Sequence, residues 1–160
     1  STLLASSAAS DVYKRQGYVL CSTGRELMKA DGSSTGRTIP VKEKITYREL
    51  LKHNSINCSS VILRRDVARE FPMEHDDSHE DYITWLKILR KYGCAAGINK
   101  PYLKYRLSEG GKSRNKLKSA AMTYNVYRYA GYGRIRSCIF FCSYAVHGIW
   151  KYCYCSLRSQ

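Results

Sequence analysis

At 160 residues the chain is long enough for one hydrophobic core and too short for two comfortable domains. An apolar fraction of 44% excludes wholesale disorder, and the net charge of +14 directs attention to anionic partners. Beyond residue 81 there are 15 Lys and Arg against one acid, Glu109, so the surplus belongs to the second half.

Such a block suits nucleotide diphosphates, anionic lipid head groups or nucleic acid, and charge alone does not choose among them. Tyr124, Tyr127, Tyr129 and Tyr132 have faces that stack on bases, but interior or membrane-interface packing explains them equally. No RNP-type, KH or zinc-finger pattern occurs, and no nucleic acid partner is expected. The seven cysteines are odd in number and include no Cys-x-x-Cys, which fits reduced thiols better than a disulfide framework or zinc site.

Residues 1–16 favour small side chains and end in Asp11-Val12-Tyr13-Lys14-Arg15-Gln16, which resembles translated adapter or vector sequence. They are set apart as a non-native leader, and the chain is expected to be a fragment lacking its true N-terminal part. Tyr18 to Cys21 suits a short strand, Asp31 to Ser34 a turn, and Thr38 to Val41 an extended exit. Thr46-Tyr47-Arg48-Glu49 is a capping box that opens a helix to about His53. Ser59 to Leu63 reads as a buried strand, followed by a short helix that stops near Phe71-Pro72.

After a polar loop, Ser78 to Gly93 reads as one amphipathic helix. Tyr82, Trp85, Leu86 and Leu89 recur at i, i+3, i+4 and i+7 and draw a single apolar stripe, which makes Trp85 a core residue. Ser78 and Asp81 fit a second capping pattern, and Gly93 follows a basic last turn. Short strands are expected at 95–98 and 102–106, broken at Pro101, with a flexible turn at Gly110-Gly111. A helix over 115–129 should place Leu117, Ala120, Ala121, Tyr124 and Tyr127 on one side, and Gly131 and Gly133 end it. Cys138 to Trp150 is 13 residues without a formal charge, under the ~20 of a spanning helix, so an interfacial or protein-packed helix is expected.

The adjacent carboxylates Glu80 and Asp81 open the central helix, where the macrodipole alone accounts for acids. The whole string His79-Glu80-Asp81-Tyr82-x-x-Trp85-Leu86-x-x-Leu89 is more specific than a cap. It resembles the acceptor-side signature of family 2 glycosyltransferases, inverting enzymes of the GT-A fold that use nucleotide-sugars. Thr46 to Lys52 with Asn54 to Val61 is similar to the helix-strand stretch before the acidic motif of bacterial capsule- and lipopolysaccharide-type members. Tyr105-Arg106-Leu107-Ser108 with Ser113-Arg114-Asn115-Lys116 resembles their Tyr-Arg-x-Ser…Ser-x-Asn-Lys element, in the same order.

The resemblance implies an α/β fold, a partial Rossmann-like GT-A domain with few short strands and C-terminal helices. Residues 17–112 would be its acceptor-side half and 113–160 a basic, aromatic helical tail. Asp81 would be the general base, Glu80 would orient the acceptor, and Arg106, Ser113 and Lys116 would meet the departing diphosphate. The implied partners are a nucleotide-sugar donor and a glycan or lipid-linked acceptor, in the cytoplasm or peripherally at the inner membrane face. Mg²⁺ or Mn²⁺ is expected for the full-length enzyme, with ligands mostly outside this chain, since no Asp-x-Asp occurs. His75, Asp77 and His79 alternate as a makeshift metal site would, although clustered polar residues before a helix are usually a loop. The alternatives are a non-catalytic basic module using residues 100–136 on anionic membrane or nucleic acid, and a poorly folded remnant with an exposed sheet edge.

Overall fold

The computed structural model describes residues 17–107 and 116–157, with side chains in the second span described for 117–148. The leader, the Gly110-Gly111 turn, Ser108, Ser113, Arg114 and Asn115 therefore lie outside the described residues, as do the side chains of Lys116, Trp150, Tyr152 and Tyr154. In chain order the elements are β1 (Leu20–Met28), β2 (Ser34–Ile39), β3 (Lys44–Thr46), α1 (Tyr47–Lys52), a 3-10 turn (Cys58–Ser60) and β4 (Val61–Leu63). There follow α2 (Arg65–Glu70), α3 (Glu80–Tyr92), β5 (Cys94–Arg106), α4 (Lys116–Tyr129) and α5 (Arg134–Leu157).

The strands form one mixed sheet in the order β2-β1-β5-β3, with β4 also paired to β1. β1 and β5 run parallel and the other pairs antiparallel, so the α/β expectation holds and the sheet is compatible with a partial Rossmann-like glycosyltransferase domain. α3 lies in the core. Its Tyr82, Ile83, Trp85, Leu86, Ile88 and Leu89 are all buried, in one cluster with Leu20, Ile45, Leu50 and Val126. Each such side chain contributes about 1.5–3 kcal/mol by burial, so α3 organises the fold as the periodicity predicts.

Several local expectations change. β1 extends well past Cys21, because its middle section Ser22-Thr23-Gly24 is buried although it is not apolar. A strand flanked on both edges needs small residues there, and hydrophobic alternation does not report them. β5 is one strand rather than two. Its pairing with β1 steps from Thr23–Ile98 to Gly24–Pro101, so Asn99 and Lys100 bulge out and the missing Pro101 N–H falls where the ladder is already interrupted.

Ser78 is not the cap of α3. His79 holds that position without a side-chain bond, and the buried Ser78 hydroxyl instead donates to the Met122 carbonyl at 2.8 Å, fastening the loop to α4. The buried face of α4 keeps the expected Tyr127 but is otherwise rotated from the expected one. Leu117 is 85% exposed and Ala121 is exposed, while Met122, Thr123, Val126 and Tyr127 are buried. α5 packs on the core through Phe140, Phe141 and Tyr144, and no described helix is long and apolar enough to cross a membrane.

The capping box of α1 forms as read. Thr46 Oγ1 accepts from the Glu49 N–H at 3.3 Å, and Glu49 accepts from the Thr46 N–H at 3.0 Å. Lys42, with its Nζ 2.6 Å from Glu49, and the Thr46 backbone N–H together lower the Glu49 pKa to about 2. A carboxylate held below its unfolded pKa stabilises the fold above that value and stops doing so as pH falls through the folded one. Acid titration should therefore remove part of the stability between about pH 4.5 and 2, and Glu49→Gln should flatten that limb of the denaturation curve. The effect is modest, because this side chain is 40% exposed and solvent screens the pair.

Candidate active-site cleft

The first turn of α3 is held from below by two tyrosines. Tyr82 Oη donates to the Leu50 carbonyl at 2.6 Å and Tyr127 Oη to the Leu51 carbonyl at 2.8 Å, with the two hydroxyls 3.3 Å apart. Leu50 and Leu51 lie in the last turn of α1, whose carbonyls have no helical partner, so the pair satisfies acceptors that would otherwise be buried and orphaned. Burial raises both phenols, Tyr127 to about 12 and Tyr82 further, which keeps them neutral donors. Tyr82 thereby fixes the position of its neighbour, Asp81.

Asp81 is partly buried, and one carboxylate oxygen accepts from the Tyr82 N–H at 2.8 Å. Burial raises its pKa above the usual carboxylate value; the Tyr82 N–H and the nearby His79 oppose the rise, and the charge of Glu80 adds to it. The helix terminus therefore does not dominate, as position alone suggests; desolvation does. The carboxylate is more basic than a surface aspartate.

Asp81 opens onto a cleft of about 290 Å³. Asn54, Asn57, Cys58 and Ser59 line it from the segment before β4, and Arg25 and Tyr105 line it from the sheet. The parallel register pairs Arg25 with Leu103 and Leu27 with Tyr105, which makes Arg25 and Tyr105 diagonal neighbours on one sheet face. The Arg25 guanidinium carbon lies 5.9 Å from the Tyr105 ring centroid, over its face. The Cys58 thiol is raised by burial and then by the charges of Asp81 and Glu80.

Of the residues singled out in the sequence, Asp81 lines the cleft. Glu80 shares its helical turn, near enough for its charge to act on Asp81 and Cys58. Arg106 is exposed one residue beyond Tyr105, its guanidinium beside Gly32 rather than among the lining side chains. Lys116 opens α4, and Ser113 lies outside the described residues. The His75 ring stacks on Tyr129 with centroids 3.8 Å apart, and Asp77 accepts from the Tyr129 hydroxyl at 3.0 Å. Those two contacts tie the loop to α4.

Sequence reading missed Arg25, Cys58 and Tyr105 as lining residues. Asn54, Asn57 and Cys58 stand in the helix-strand stretch and Tyr105 in the Tyr-Arg-x-Ser element, whereas Arg25 sits in a polar run with no signal of its own.

The chain is 36% identical over 106 residues to TuaG of Bacillus subtilis, a protein named as a teichuronic acid biosynthesis glycosyltransferase; the match covers 66% of this chain and 42% of TuaG. It is 36% identical over 114 residues to WfaP of Escherichia coli, a UDP-Glc:alpha-D-GlcNAc-diphosphoundecaprenol beta-1,3-glucosyltransferase, covering 69% of this chain and 44% of WfaP. WfgD of Escherichia coli, which carries the same enzyme name, is 40% identical over 88 residues, covering 52% of this chain and 33% of WfgD. No family model and no solved structure matches. Each of these relatives is named as a glycosyltransferase, and the chain spans less than half of their length.

Proposed function

We propose that the chain is the acceptor side of an inverting family 2 glycosyltransferase. It would act in cell-surface polysaccharide synthesis at the cytoplasmic face of a membrane, moving a sugar from a nucleotide-sugar to a hydroxyl of a glycan or lipid-linked acceptor. The observation that carries this is a carboxylate of raised basicity, Asp81, on a cleft of a chain 36–40% identical to glycosyltransferases.

In this reading the acceptor oxygen attacks the anomeric carbon while Asp81 takes its proton, and the bond from that carbon to the diphosphate breaks. The products are an inverted glycoside, a nucleoside diphosphate and protonated Asp81, which returns its proton to water. Glu80 orients the acceptor side, and Arg106, Ser113 and Lys116 meet charge on the departing diphosphate. A divalent cation, Mg²⁺ or Mn²⁺, supplies further charge neutralisation in the whole enzyme. Among the described residues no three His, Cys, Asp or Glu side chains form a group that could hold it. The 160 residues alone are expected to turn over no nucleotide-sugar. The test is release of nucleoside diphosphate by the complete open reading frame, with and without Asp81→Asn.

Peripheral contact with an anionic bilayer belongs to the same proposal. On α5, Ile135, Ile139 and Val146 are 80%, 59% and 63% exposed, and the exposed Cys138 and Cys142 continue their stripe. Exposed Arg134 and Arg136 flank it, matching anionic head groups. Ile135→Ser with Ile139→Ser should weaken sedimentation with phosphatidylglycerol-containing vesicles by about 5-fold or more, and pure phosphatidylcholine should bind less. Loss of self-association in place of vesicle binding would assign the stripe to a second copy.

A further inference from the structure

The cleft is also bordered by the buried Ile56, and every other lining side chain except Asp81 offers a hydrogen-bond donor or a positive charge. Arg25 is half-buried, its guanidinium held below its ordinary pKa by desolvation, and it makes no ion pair among the described residues. Its guanidinium carbon lies over the ring of the neighbouring Tyr105. Asn57 Oδ1 accepts from the Ser59 N–H at 2.9 Å, and Asn54 Oδ1 accepts from the Ile56 N–H at 3.3 Å. With their oxygens engaged by backbone, both asparagines keep their amide N–H donors for the cleft. Arg25 shares the cleft lining with both asparagines, and a desolvated cation costs stability unless an acceptor of negative charge completes it.

We propose that Arg25, Asn54 and Asn57 form a phosphate-binding subsite that holds an anionic, phosphate-bearing ligand against Asp81. A planar guanidinium takes two phosphate oxygens side by side, and the amides take further lone pairs. The subsite rests on the transferase reading and deepens it, because an acceptor anchored by its phosphate presents a sugar hydroxyl to the carboxylate and a donor anchored there presents its anomeric carbon nearby. Either the diphosphate of a nucleotide or that of a lipid-linked acceptor has this chemistry.

The experiment measures dissociation constants of the 160-residue chain for inorganic pyrophosphate, UDP and geranyl diphosphate by calorimetry. Arg25→Gln should weaken binding about 10-fold or more, and Arg25→Lys should restore part of it. Asn57→Asp keeps the oxygen that caps the 3-10 turn while adding a repelling charge, and should weaken binding as strongly. Far-ultraviolet circular dichroism shows whether each variant is folded. In wild type, the bound ligand should slow alkylation of Cys58, read by peptide mass, because that thiol shares the cleft.

A loss confined to UDP assigns the subsite to the donor, a loss confined to geranyl diphosphate assigns it to the acceptor, and loss of both leaves a general diphosphate site. No binding of any probe to wild type at millimolar concentration overturns the proposal, as does unchanged binding in folded Arg25→Gln and Asn57→Asp. The transferase reading fails separately. Full turnover in Asp81→Asn would remove the base and leave the Arg25 dependence of binding untouched.

Discussion

Asp81→Asn is expected to lower sugar transfer by about 10²–10⁴-fold, the range a positioned general base supplies, without loosening the fold. The substitution is isosteric, and its amide oxygen still accepts from the Tyr82 N–H. The direction of the stability effect follows from the raised pKa. The folded state holds this proton at pH values where the unfolded chain has released it, so stability falls as pH rises through that interval and the ionised carboxylate is a cost at neutral pH. Asparagine removes the cost, so the variant should melt at or above the wild-type temperature at pH 7. Loss of turnover with retained or higher Tm is the signature of a group kept for chemistry. The acidic limb of the wild-type rate profile should also lie above the usual carboxylate range. Unaltered kcat in the variant would exclude Asp81 as the base.

The largest stability effect should come from Gly97→Ala, which adds one methyl group. A Cβ there would lie 1.8 Å from the Lys42 carbonyl oxygen and 2.8 Å from its carbon, both backbone atoms. The Gly97 N–H donates to the Glu43 carbonyl at 2.8 Å, so the glycine cannot move away without breaking that bond. Flexible side chains can give way, but here the chain leading into β3 would have to. The expected loss is about 3 kcal/mol or more, at the upper end of ordinary overpacking. For a domain of this size that lowers Tm by about 10 °C, measurable by thermal circular dichroism. Gly133→Ala is the control, since a Cβ there meets nothing within 4 Å. It should change Tm by about 1 °C or less, as surface substitutions do.

How much was legible depended on the range over which each feature is determined. The α1 capping box spans Thr46 to Glu49 and was read correctly, because both halves of the bond lie within one turn. The stripe of α3 was equally legible, since a 3.6-residue repeat survives in any surroundings that bury one face. The same local rule misled at Ser78. Its sequence spacing fits a cap, yet a carbonyl 44 residues away, on Met122, receives the hydroxyl. It misled again on α4, where the mixed pattern of small, aromatic and polar residues does not define one face: the expected Tyr127 is buried, but Met122 and Val126 join it while Leu117 is exposed.

The sequence by itself determined the helices, the acidic pair that opens α3 and the resemblance to glycosyltransferases. These rest on contacts between residues a few positions apart, or on motif order along the chain. Tertiary structure alone decided what surrounds Asp81. Arg25 reaches the cleft beside Tyr105 because β1 pairs in parallel with β5, bringing together residues from strands far apart in the chain, and a polar run carries no periodic mark of a partner at that distance. The basicity of Asp81 was decided at the same level. An aspartate in a first helical turn reads as stabilised and ionised, but its pKa follows from how much water the fold removes around it, and that depends on neighbours the local sequence does not contain.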